Sequence, residues 1–281
     1  MKKLCCLLAL LLMMAARAES INLLCVGITS YDDGTRRVGG INATQGVFDA
    51  FVNAGECASA EKQLDLTKAE LVALLESVPD TRAEMTVIYI NAHGGAQDGL
   101  NWIETREGAR LTPAELESAV RKRPGRVVLL IDCCNSGGFI GEADFADAFS
   151  SGFMSAFYQN ANPGGSFFAS SKYLVCTSCS FDQNSYRIAN SSLTEENMST
   201  VFARALCDAL GWDLIKDRPA RPAADINRDH SVTFTEMCLY TRQRCRYYLS
   251  FSTPARQTVM YTEGADAVLI TRRPGKTEEI K

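Results

Sequence analysis

The sequence predicts an α/β fold of three layers, with helices on both faces of a mostly parallel sheet. Two observations carry this. Met85–Asn91 (MTVIYIN) and Val127–Ile131 (VVLLI) are short, continuous apolar runs rich in β-branched residues, as in strands buried on both faces. Between them Thr112–Lys122 (TPAELESAVRK) reads as a helix, with Thr112 as N-cap, Pro113 at the first helical position and Glu115 three residues after the cap. Strand, helix and strand in that order imply parallel neighbours joined by a right-handed crossover.

From its start, the chain opens on Met1–Ala18 (MKKLCCLLALLLMMAARA): two lysines, an apolar core and an Ala-Arg-Ala ending. This pattern predicts a bacterial-type secretory signal peptide cleaved after Ala18, its apolar run being short for a membrane span. The protein is therefore expected outside the cytoplasm, secreted or periplasmic. Loss of Lys2, Lys3 and Arg17 takes the formal charge from -4 to -7. A mildly acidic chain without a basic cluster gives no ground for nucleic acid or a membrane surface as partner.

Ile21–Ile28 is expected as the first strand and leads into Tyr31–Gly40, a polar loop with Arg36 and Arg37. Asn42–Asn53 and Thr67–Leu75 follow as helices, the second with a Thr67/Glu70 capping box. Beyond the Val127 strand, a helix is expected over Glu142–Tyr158, a loop over Gln159–Ser171 and a strand over Lys172–Ser178. Further on come a helix over Met198–Leu210, a helix over Thr235–Tyr248 and a last strand over Asp266–Thr271.

The chemistry gathers at two strand ends. The first run ends in Ala92, His93, Gly94 and Gly95, where the glycines suit a sharp turn. The second ends in Asp132, Cys133, Cys134, Asn135, Ser136 and Gly137. Parallel strands would bring His93 and the cysteine pair to one sheet edge, where open α/β sheets bind their ligands. A thiol needs a base to become nucleophilic near neutral pH, and imidazole supplies one. Backbone N–H groups near the cysteine and at Gly94 or Gly95 would bind an oxyanion.

These two segments resemble the motif pair of the caspase-like, or clan CD, cysteine peptidases, nearest to their metacaspase- and legumain-like bacterial members. There a strand ends in His-Gly, and a later one in acid-x-Cys-x-Ser-Gly. The resemblance implies a caspase-like peptidase domain over residues 19–281 and a polypeptide substrate. It makes Cys134 the nucleophile, His93 the acid/base, and the Gly94 and Cys134 amides the oxyanion donors, with no cofactor needed for the chemistry. By side-chain alternation Cys133 points the other way, into packing. The resemblance also places Asp132 in the specificity pocket, favouring Arg or Lys before the scissile bond, with Asp182 as a second wall. Legumains, which cut after Asn, carry an acid at the same place, and Arg37 or Arg36 lining the pocket would change its charge. A catalytically silent binding module of the same fold is the alternative to an enzyme.

Eleven cysteines less Cys5 and Cys6 leave nine, an odd number that suits one reserved nucleophile and up to four bridges. Cys25 and Cys176 lie in apolar strands and suit burial. Cys176-Thr-Ser-Cys179 has the spacing of a redox pair, which would make the protein a thiol–disulfide oxidoreductase. Its first cysteine, however, lies within a strand and no helix signal follows.

Asp225–Glu236 (DINRDHSVTFTE) puts Asp225, Asn227, Asp229, the Ser231 carbonyl, Thr233 and Glu236 at the oxygen-ligand positions of a twelve-residue calcium loop. His230 takes the place where glycine is usual, and the preceding prolines rule out an entering helix. The competing reading is an Asp-rich turn before a helix start.

Overall fold

A computed structural model describes residues 20–54, 57–97, 100–140, 172–188, 198–251, 255–262 and 266–271. The signal segment, the Glu142–Tyr158 helix and the Gln159–Ser171 loop expected from the sequence lie outside these residues.

In chain order the elements are β1 (Ile21–Gly27), α1 (Gly40–Ala54), β2 (Cys57–Leu64), α2 (Lys68–Glu76), β3 (Met85–Asn91), β4 (Gly94–Gln97), β5 (Leu100–Glu104) and β6 (Arg110–Leu111). Then come α3 (Pro113–Val120), β7 (Arg126–Asp132), a 3-10 turn (Ser136–Phe139), β8 (Tyr173–Thr177), α4 (Val201–Leu210), β9 (Trp212–Asp213) and β10 (Arg218–Pro219). The chain continues through β11 (Ser231–Thr233), α5 (Phe234–Leu249), β12 (Met260–Tyr261) and β13 (Val268–Thr271).

The central sheet has the order β12-β8-β7-β3-β1-β2, parallel except for the short antiparallel edge strand β12. Its strands alternate between two cores. Leu23, Val87, Tyr89, Val128, Leu130 and Cys176 pack with α1, α4 and α5 on one face. Leu24, Ile88, Ile90, Leu129, Ile131 and Val175 pack with α2 and α3 on the other. This is the expected three-layer sandwich. The capping boxes at Thr67/Glu70 and Thr112/Glu115 are both formed, so each helix start satisfies its orphan N–H groups locally.

Strand β2 escaped the sequence reading because Glu61, Lys62 and Gln63 of this edge strand are half or fully exposed and no apolar run marks it. The expectation for Gly94 and Gly95 also needs correction. Neither has a positive φ, and both continue into strand β4, which pairs with β5. The last expected strand is present as β13, but it pairs with β11 in a separate two-stranded sheet. The bridges allowed by the cysteine count are not formed: all nine cysteines are free, and seven of them are buried.

Helix α1 leaves the C-terminal end of β1 for one face of the sheet, whereas the chain leaving β3 reaches α3 on the other. Since β1 and β3 are neighbours, their outgoing connections part and open a crevice between them.

Candidate active site

The register of the sheet builds the site. Gly27 pairs with Asn91, and Asn91 with Asp132, so three strands end on one row. His93 and Cys134 each lie two residues beyond that row. The two turns touch: a Cβ on Gly94 would sit 2.6 Å from Cys133 Sγ and 2.7 Å from the Cys134 carbonyl oxygen. Glycine is therefore required for close approach, not for a special dihedral.

Cys134 is half-buried, whereas Cys133 is buried among the α2/α3-side residues, where desolvation holds its thiol well above the ordinary range. Alternation along the strand thus sorts the two adjacent thiols as the sequence suggested. Asn135 takes the left-handed conformation (φ 58°) that starts the 3-10 turn, and it is tied on both sides: its N–H donates to Gln183 O and its Nδ2 to Phe181 O, each at 2.7 Å.

His93 is held by Tyr31. The His93 N–H donates to the Tyr31 hydroxyl at 2.7 Å, and the rings lie 5.0 Å apart at a 39° tilt. Its Nε2 is buried without a hydrogen-bond partner among the described residues. Desolvation lowers the His93 pKa below the usual histidine value. Arg37 and Arg187 push it the same way, and Asp33 opposes them. The imidazole is thus neutral and able to accept a proton at neutral pH.

Glu104 N–H donates to His93 O, which makes that pair the bonded kind in the β4–β5 ladder and Gly94–Ile103 the non-bonded kind. The Gly94 N–H therefore points away from β5, and neither it nor the Cys134 N–H is used by the backbone of the described residues. These are the two N–H groups that the resemblance makes oxyanion donors.

The resemblance places Asp132 in the specificity pocket. Its carboxylate is fully buried and accepts from Tyr89 Oη (2.9 Å), Asn91 Nδ2 (2.8 Å), Ser185 Oγ (2.8 Å) and Thr200 Oγ1, with Arg37 Nη2 3.7 Å away. Arg37 in turn donates Nε to Asn91 Oδ1 and Nη2 to the Asp132 carbonyl. Asp182 stands exposed on its turn, and the loop reaches Asp132 through Ser185 instead. The sequence reading missed Asn91, Arg187 and Thr200 as site residues, because single polar residues carry no local signal of what they face.

Cys176 and Cys179 are unbridged and differently occupied. Cys176 lies in the core beside α5, while Cys179 Sγ contacts the Cys133 and Gln183 carbonyls. In Asp225–Glu236, β11 and α5 fall where the end of a calcium loop would, and His230 adopts the left-handed φ (68°) that glycine normally supplies. The ligand set, however, is not gathered. Glu236 caps α5 by accepting from the Thr233 N–H, Asn227 and Asp229 accept from the loop's own backbone, and Asp225 Oδ1 is buried without a partner among the described residues. Among the described residues no group of three or more His, Cys, Asp or Glu side chains is placed to hold a metal ion.

No protein-family model matches the sequence, and no curated protein matches it. Solved structures do. The chain is similar to the crystal structure of caspase-1 from Spodoptera frugiperda, with a TM-score of 0.59 and 12% sequence identity over 92% of this chain and 93% of that one. At such identity the likeness establishes the fold, which is caspase-like.

Proposed function

We propose that this caspase-like chain is a secreted cysteine endopeptidase, in which Cys134 attacks the peptide carbonyl and His93 moves the proton. The observation that carries this reading is the contact of the two turns. It joins the turn of a half-buried thiol to that of a histidine whose buried Nε2 has no partner among the described residues, with two backbone N–H groups unused by neighbouring backbone. In the acylation step the thiol sulfur bonds to the carbonyl carbon while its proton passes to His93. The Gly94 and Cys134 amides hold the resulting oxyanion. His93 then protonates the leaving amine, and water, deprotonated by His93, releases the acyl group from sulfur. Secretion rests on the Met1–Ala18 pattern.

For the residue before the scissile bond, the burial of Asp132 argues against the Arg or Lys that an open carboxylate would favour. Its four hydrogen-bond donors and Arg37 leave little negative charge for a basic side chain. Arg187, exposed and close enough for its charge to act on His93, offers donors in its place. The pocket so built suits a side chain with acceptor oxygens, Asn or Asp. Fluorogenic peptides ending in Asn, Asp, Arg or Lys, assayed with the protein and its Cys134→Ala variant, test both parts. Cleavage after Asn or Asp that vanishes in the variant is expected. Cleavage after Arg or Lys would return Asp132 to the role of an open wall. A folded protein that cleaves none of them and is inert to a thiol-directed peptide electrophile would be a silent binding module.

A further inference from the structure

Behind the Cys134 turn lies a buried polar network with no place in the chemistry above. Ser136, Ser178 and Cys179 are all fully buried. The Cys179 N–H donates to Ser136 Oγ at 3.2 Å, the Ser136 and Ser178 hydroxyls are 3.1 Å apart, and Ser178 Oγ donates to the Cys133 carbonyl at 3.0 Å. A serine hydroxyl has one proton to give. If Ser178 spends its proton on Cys133 O, the proton between the two hydroxyls must come from Ser136. The bonds then run in one sense, Cys179 N–H to Ser136, Ser136 to Ser178 and Ser178 to Cys133 C=O, the 3.1 Å between the two hydroxyls being shorter than the 3.4 Å from Ser136 Oγ to the Cys179 carbonyl and sulfur.

The carbonyl at the end of this chain belongs to the peptide whose N–H is that of Cys134. Hydrogen bonds in series polarise one another, and a peptide whose C=O accepts becomes a stronger N–H donor. The same carbonyl lies 3.2 Å from Cys179 Sγ, and the Asp132 carbonyl one residue earlier accepts from Ala92 N–H and Arg37 Nη2. Two successive peptide planes before the nucleophile are thus fixed from behind. Gln257 Nε2 anchors the network by donating to the Ser178 carbonyl at 2.9 Å.

We propose that Ser178 and Ser136 are positioning residues of the oxyanion site, acting through the Cys133–Cys134 peptide to aim and strengthen the Cys134 N–H. This rests on the peptidase reading. An amide held in place before the reaction stabilises the tetrahedral oxyanion without reorganising, and a rotated or less polarised one does so less well. Neither serine touches substrate.

The test compares wild type with Ser178→Ala and Ser136→Ala by three readouts: steady-state cleavage, affinity for a peptide aldehyde, and alkylation of Cys134 by iodoacetamide. The aldehyde forms a hemithioacetal whose oxygen occupies the oxyanion position, whereas alkylation needs only the thiol and its base. Ser178→Ala is expected to lower kcat about tenfold with KM unchanged and to weaken the aldehyde by a similar factor, a fraction of what deleting a direct donor costs. Alkylation should stay at the wild-type rate. Ser136→Ala should show the same pattern, and it carries the test if Ser178→Ala does not fold. Unchanged kcat and aldehyde affinity in a folded variant would overturn the proposal, as would alkylation falling in step with kcat. A wild-type protein that alkylates but neither cleaves peptides nor binds the aldehyde would overturn the peptidase reading itself, and the proposal with it.

Discussion

Asn91 and Asp132 face each other on one rung of the central sheet, and the Asn91 amide donates to Asp132 Oδ2 at 2.8 Å. The same amide group accepts from Arg37 through Oδ1, so one side chain joins the first loop, the histidine strand and the cysteine strand. Because that rung closes both strands, His93 and Cys134 leave the sheet side by side. The alignment of His93 with Cys134 is a consequence of strand register, and this buried polar cluster ties the ends of the two strands together.

Removing the Asp132 carboxylate should therefore cost stability before it alters specificity. Asp132→Ala strands Arg37 with no anion and leaves the donors of Tyr89, Asn91, Ser185 and Thr200 without their acceptor. A loss of about 3–5 kcal/mol is expected. Denaturant unfolding followed by circular dichroism measures it, and a loss under about 1 kcal/mol would mean the cluster relaxes into water.

The two adjacent thiols should separate cleanly on mutation. Cys134→Ala abolishes turnover with the fold retained. Cys133→Ala keeps turnover and loses about 1 kcal/mol of stability, since it removes a buried sulfur and leaves the backbone carbonyl in place. Parallel assays and melts of the two variants decide it, and the reverse outcome would reassign the nucleophile.

The pH dependence follows from the lowered pKa of His93. Its neutral form is favoured in the folded state, so the folded chain binds fewer protons than the unfolded chain as pH falls below the unfolded histidine value of about 6.5. The stability contribution of this group is present above that value and is lost as pH falls through it toward the folded pKa. The acid limb of activity should accordingly lie below pH ~6.5. Arg187→Gln removes a cation that lowers the His93 pKa, so it should move the limb and the titration upward. With only His93 and His230 in the sequence, imidazole NMR resonances are simple to assign, and a downward or absent shift would show that Arg187 does not act on His93.

Calcium, proposed from the spacing of Asp225–Glu236, has to draw Glu236 off its helix cap in order to bind. Calcium should raise the melting temperature by mass action, and Asp229→Ala should abolish that rise. No hydrogen bond joins the segment to His93 or Cys134 among the described residues, so a chelator should leave kcat/KM unchanged. Melting curves insensitive to millimolar calcium would reduce the segment to an Asp-rich turn.

Much of this protein is legible in its sequence, and the reason is locality. Apolar runs over consecutive residues marked β1, β3, β7 and β8, capping boxes marked α2 and α3, and the two strand ends marked His93 and Cys134 because a strand's end is written in its own residues. Tertiary structure alone decided what the polar residues do. Asp132 meets Thr200 across 68 positions, Ser185 across 53 and Arg37 across 95, and no local pattern encodes such meetings. The family resemblance alone assigned that aspartate to a pocket for a basic side chain. Packed in the fold it is desolvated and surrounded by donors, because a buried charge is tolerated only when its lone pairs are satisfied. The polar edge strand β2 and the two-residue β12 were likewise decided by pairing across the sheet, where the partner supplies the hydrogen bonds that their own composition does not announce.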